Sequence, residues 1–165
     1  MKNRAVILAV AVKGDEEQFA LLQKNLQWRK QQYEIIRFCN VQGFLDALNG
    51  LTTAETVSRR PYLLFLDFQT PQLDGLKVLD AIKSKPQTKK IPVFGLIAAN
   101  DEQLLTECYR HGCGLCFHKP SVYDRLVDMM QRLGDFLSII ELPELAAVPG
   151  WEQSNDQRNC NGADC

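Results

Sequence analysis

Two clusters of side chains in this sequence have the types and spacing to do chemistry. The first centres on Asp67, where the apolar run of "LFLDFQTPQLDGL" (64–76) ends abruptly in an acid. A carboxylate at the tip of a buried strand can accept a group or help to hold a cation, although one acid alone specifies neither. The second is "CYRHGCGLCFH" (108–118), which gathers Cys108, His111, Cys113, Cys116 and His118. Cys113-x-x-Cys116 has the spacing of a zinc knuckle or a redox pair. The competing reading is packing, since a free cysteine behaves as a small hydrophobe. On that reading Cys116 faces inward, Cys113 closes a helix, and the two thiols lie apart. Neither a nucleophile–base pair nor a nucleotide-binding glycine loop stands out, so the chain is not expected to be an enzyme.

The elements that must position Asp67 follow from the apolar pattern. "AVILAVAV" (5–12) is continuous and rich in β-branched residues, as in a strand buried on both faces. Residues 15–29 carry Phe19, Leu22 and Leu26 at helical spacing, with acids first and bases last. A strand over 33–39 and a short helix over 41–49 come next, then a polar, aperiodic loop over 50–61. The pattern then gives strand 62–67, helix 74–84, strand 91–97, helix 100–111, strand 114–118 and a long helix over 121–140. Five βα units predict an α/β, flavodoxin-like, doubly wound parallel sheet in a single domain. Such sheets bind ligands outside the carboxyl ends of their strands, which is where Asp67 falls. Residues 1–140 are assigned to that domain, 141–150 to an extension available for a dimer contact, and the polar 151–165 to a disordered tail.

Composition narrows the classes further. The 165 residues suffice for one domain with its own core. Nineteen basic against twenty acidic residues leave a net charge of −1, which argues against nucleic acid or an anionic membrane as a partner. The start has a basic residue before an apolar run but no small-residue cleavage site, so a buried strand is the better reading than a signal peptide. Six cysteines are too few and too clustered to staple such a chain, which fits a reducing cytoplasm. The lysines of "KSKPQTKK" (83–90) read as a solvated surface loop.

"YLLFLDFQTPQLDGLKVLDAIK", "KKIPVFGLIAANDEQ" and "CGLCFHKPS", in this order and spacing, resemble the receiver domain of two-component response regulators over about residues 4–140. Within that CheY-like family, the long loop before the third strand and the ending "LGDFLSIIELPE" (133–144) are most similar to small stand-alone regulators of cyanobacterial phytochromes. The resemblance implies that Asp67 accepts a phosphoryl group from a histidine kinase or phytochrome-like sensor. It implies that Lys119 contacts the phosphoryl oxygens and that Pro120 follows a cis bond. It further implies Mg²⁺ held by an acid pair at the end of the first strand, helped by the Gln69 backbone carbonyl. A hydroxyl at the end of the fourth strand and an aromatic in the fifth would report the phosphorylated state to a downstream protein.

This chain keeps half of that set. The acid pair falls on Lys13 and Gly14, or on Ala11 and Val12 in the other register, with Asp15 nearby. The hydroxyl position reads Ile97 and the aromatic position Cys116. Asp67, the Gln69 carbonyl and Asp15 make a thin site for an ion that wants octahedral oxygen. Lys13 beside Asp67 and Lys119 could supply fixed charge in its place. The favoured reading is therefore a degenerate receiver kept as a protein-interaction module. A conventional Asp67 phosphoswitch and a Cys/His metal or redox module are the alternatives. In the long helix, Val122, Leu126, Met130, Leu133, Leu137 and Ile140 form one stripe suited to the sheet. Val127, Met129, Phe136 and Ile139 lie off it, so Phe136, Ile139 and Ile140 are the candidate homodimer seam, which the resemblance also implies.

Overall fold

The computed structural model describes residues 6–10, 20, 24, 34–38, 41–49, 59–68 and 74–146. Strands β1 (Val6–Val10), β2 (Glu34–Phe38), β3 (Arg59–Asp67), β4 (Val93–Ile97) and β5 (Leu115–His118) run parallel in the order β2-β1-β3-β4-β5. Between and after them lie helices α1 (Val41–Asn49), α2 (Gly75–Ser84), α3 (Glu102–Arg110) and α4 (Tyr123–Leu137). The order reverses between β1 and β3, so the flavodoxin-like arrangement read from the pattern is the one observed.

β3 shows why both faces of the sheet are covered. Alternation sends Tyr62, Leu64 and Leu66 to one face and Leu63 and Phe65 to the other, and all five are buried. The first face packs on Val78, Leu79 and Ile82 of α2 together with Ile36, Phe38 and Phe44. The second packs on Leu126, Met130, Leu133 and Leu137 of α4 together with Phe94 and Leu96. Val122, expected on that same stripe, is instead 55% exposed, because the helix begins after it and Val122 stands at its cap. Val127, Met129 and Ile140 pack partly against the core, whereas Phe136 and Ile139 remain exposed.

The starts of α2 and α3 are set by side-chain caps. Asp74 accepts from the Lys77 backbone N–H at 3.1 Å, and Asp101 accepts from Leu104 N–H at 2.9 Å. α3 stops at a Schellman turn: Gly112 takes φ 98°, its N–H donates to Tyr109 O, and Cys113 N–H donates to Cys108 O at 2.9 Å. Only glycine adopts that backbone without cost.

The chain after α4 differs from expectation. A short strand β6 (Glu144–Ala146) pairs antiparallel with the start of β3, setting Arg59 opposite Ala146 and Pro61 opposite Glu144. The loop expected over 50–61 therefore ends earlier, because this partner draws 59–61 into β3. The lysine loop is also less solvated than expected. Lys83 donates to the carbonyls of Lys89 and Ile91, and Thr88 is buried with its hydroxyl on Ile82 O. Burial lowers the Lys83 pKa below the ordinary lysine value. Apart from Ala20 and Lys24, the expected helix over 15–29 lies outside the described residues, as does the tail over 151–165. Among the described residues, no helix is long and apolar enough to cross a membrane.

Candidate functional site

Asp67 ends β3 opposite Leu96 of β4 and is only 1% exposed. The next peptide continues the ladder, with Phe68 N–H donating to Leu96 O at 2.8 Å. One strand further, Lys119 N–H donates to Ile97 O at 2.8 Å, which places Lys119 just past the tip of β5. From there its four-carbon stem crosses the end of β4, and Nζ donates to Asp67 Oδ2 at 2.9 Å. Burying a carboxylate is costly unless it is paired, and this ammonium is a fixed counter-charge for it.

Lys119 and Asp67 thus meet across the strand tips, with Ile97 at the end of the strand between them. Ile97 is fully buried and belongs to the α2-side core. It fills the position with carbon and offers no hydroxyl to an anion at Asp67. Lys13, Gly14, Asp15, Gln69 and the alternative register Ala11–Val12 lie outside the described residues, so the Lys13 arm of the predicted charge cluster has no described position. Pro120 corrects an expectation: there is no cis peptide bond among the described residues, so Lys119–Pro120 is trans, the isomer that X-Pro bonds ordinarily prefer.

The cysteines correct another. Cys113 and Cys116 are not separated; Cys116 Sγ lies 3.6 Å from Cys113 Sγ. The Schellman turn folds Cys113 under β4, where its Sγ also reaches the carbonyls of Val93 and Leu115 at 3.3 Å. The Cys116 backbone N–H donates to Tyr109 Oη at 3.1 Å. The hydrogen bond to Cys116, and then burial, raise the Cys113 pKa. Burial and the neighbouring Cys113 push Cys108 up to about 11. Sequence reasoning also missed Phe68, whose ring lies against Gly75 and Gly95. A Cβ on Gly75 would clash with Phe68 Cδ1, and one on Gly95 would sit 2.8 Å from Phe68 Cε2. The glycines in "DGL" and "FGL" were the available signal.

The response regulator receiver domain family matches residues 10–131. The chain belongs to that family. It is similar to the response regulator Rcp1 of Synechocystis sp. (strain ATCC 27184 / PCC 6803 / Kazusa), 33% identical over 87 residues that make up 52% of this chain and 59% of Rcp1. The matched segment thus spans less than two thirds of that relative. Among solved structures, the Mn(2+)-bound form of Rcp1 superposes with a TM-score of 0.71 at 28% identity, covering 84% of this chain and 98% of that one. The phosphorylated cyanobacterial phytochrome response regulator RcpA gives 0.69 at 25% identity, covering 86% and 99%. Receiver domains bind Mg²⁺ or Mn²⁺ at an acidic site; of the residues expected to hold such an ion here, only Asp67 lies among those described. One oxygen of Asp67 already carries an ammonium. Among the described residues no group of three or more His, Cys, Asp or Glu could hold a metal, which also removes support for a Cys/His zinc site.

Proposed function

We propose that this receiver retains the acceptor position but not the machinery that reports phosphorylation, and that it acts mainly as a protein-interaction module. Ile97 carries this reading. At the tip of β4, beside the strand end from which Lys119 reaches Asp67, a buried aliphatic chain stands where the family places a hydroxyl. A two-state switch needs contacts that differ between its states. Ile97 can form no hydrogen bond to a phosphoryl oxygen, and Cys116, at the aromatic position, is engaged with Cys113. Electrostatics point the same way, because the acid-pair positions read Lys13 and Gly14, or Ala11 and Val12, so the carboxylates that would hold a charge-offsetting cation are missing from the sequence there.

The conventional reading, Asp67 as phosphoacceptor for a histidine kinase or phytochrome-like sensor, is favoured by the Lys119–Asp67 contact. Incubation with Mg²⁺ and a small acyl phosphate, read by intact mass, separates the two. The degenerate reading, which also rests on Lys13 and Gly14 standing at the acid-pair positions, expects no added phosphoryl group. Stoichiometric labelling that disappears in Asp67→Asn would establish the conventional reading instead.

The interaction surface proposed here is the outer side of α4. Phe136 is 37% exposed and Ile139 is 79% exposed, with Ile140 half-buried beside them. An apolar groove of about 610 Å³ runs past Phe117, Met129 and Phe136, flanked by Arg125 and Arg132. A second copy of the chain or a downstream protein would cover this surface. A cytoplasmic location fits the small number and clustering of the cysteines in the sequence.

A further inference from the structure

The thiols at the entry to β5 have no part in phosphoryl chemistry, yet the fold assembles them closely. The Schellman turn bonds the Cys113 N–H to the Cys108 carbonyl, and Gly95 of β4 leaves room for the Cys113 sulfur, which would lie 3.3 Å from a Cβ there. Strand β5 then returns Cys116 to within 3.6 Å of it. A disulfide needs its sulfurs about 2.0 Å apart. Closing the gap therefore takes a relative movement of the two sulfurs of about 1.6 Å. The thiols differ in access, since Cys108 and Cys113 are buried and Cys116 is partly exposed.

We propose that Cys113 and Cys116 form a peroxide-responsive dithiol site that closes reversibly to a disulfide. Hydrogen peroxide is the oxidant. Cys116, as thiolate, attacks one peroxide oxygen; the O–O bond breaks, water leaves, and Cys116 becomes a sulfenic acid. The Cys113 sulfur attacks the Cys116 sulfur, the S–O bond breaks, the hydroxyl leaves as a second water, and the S–S bond forms. Two thiols are oxidised by two electrons and one peroxide is reduced to two waters. A dithiol reductant reverses the step by exchange. The bridge would draw Cys116 away from its present position, where its amide is held by Tyr109 Oη. Exposed Tyr109 and Leu115 flank it, so the modification lies next to surface that a partner can touch.

This inference is independent of whether Asp67 accepts a phosphoryl group. The full-length reduced chain is treated while folded with hydrogen peroxide, quenched with an alkylating agent under denaturing conditions, and mapped by peptide mass. The expected product is one Cys113–Cys116 link with the mass loss of two hydrogens, reversed by dithiothreitol. In Cys113→Ser, a dimedone-trapped sulfenic acid on Cys116 should replace it. Three outcomes would overturn the proposal: both thiols fully alkylated after peroxide, a bridge that uses Cys108 in place of Cys113, or stoichiometric zinc on the pair as purified. The mapping uses the unaltered chain, so the result stands even if the serine variant fails to fold.

Discussion

Lys119→Met tests whether the ammonium is what permits Asp67 to be buried. The substitution keeps most of the aliphatic stem and removes the charge. It leaves Asp67, only 1% exposed, without the donor now 2.9 Å from Oδ2. Removing one partner of a buried pair costs about 3–5 kcal/mol. The Lys119 side chain is 13% exposed, so some water can reach the gap, and the expected loss is about 3 kcal/mol. Asp67→Asn should cost less, about 1 kcal/mol, because Asn still accepts a hydrogen bond and the freed ammonium can turn toward solvent. The double variant should then show a coupling of about 2 kcal/mol. With a urea slope of about 2 kcal/mol per molar, Lys119→Met moves the unfolding midpoint down by about 1.5 M. Urea melts of the four proteins give the cycle directly. A coupling under about 0.5 kcal/mol, or equal losses from the two single variants, would refute the idea that Lys119 holds a buried carboxylate.

Gly95→Ala should destabilise by about 1–3 kcal/mol, because its Cβ would meet Phe68 Cε2 at 2.8 Å. Calorimetry should show most of that loss restored in a Phe68→Leu background. His111 bonds to Asp80 of α2, and that hydrogen bond, together with the charges of Asp80 and Glu107, raises its pKa above 6.5 against burial and Arg110. A raised folded value stabilises fully below 6.5 and fades as pH climbs through the folded value. The melting-temperature advantage of the native chain over His111→Gln should therefore be present at about pH 5.5 and gone by about pH 9. Ile139→Asp places a charge on a residue that is 79% exposed, so it should leave the monomer's stability nearly unchanged. If a second copy covers α4, the same change should abolish dimers in light scattering at high concentration.

The sheet was legible because its central strands β3 and β4 are apolar on both faces, a pattern that survives without any knowledge of neighbours. Asp67 was placed correctly by its position at a strand end. α1 matched its expected span of 41–49, whereas α2 and α3 begin just past the aspartates that cap them. β6 was missed because three residues are too few to show a period, and their pairing depends on a strand far away in sequence. The thiol contact was misjudged because strand alternation was applied to Cys116 alone. The positive φ of Gly112 turns Cys113 beneath the sheet, and no spacing rule contains that reversal. Val122 was lost to the buried stripe through a boundary shift at the start of α4.

The antiparallel clasp of Glu144–Ala146 on Arg59–Pro61 grips the opposite end of the strand that terminates in Asp67. At about 3.3 Å per residue, that strand is a stiff rod roughly 25 Å long. Whatever pulls on the chain beyond this clasp also loads the rod's far end. Shortening the protein at 140 would therefore cut a mechanical link to the acceptor, along with any surface lost.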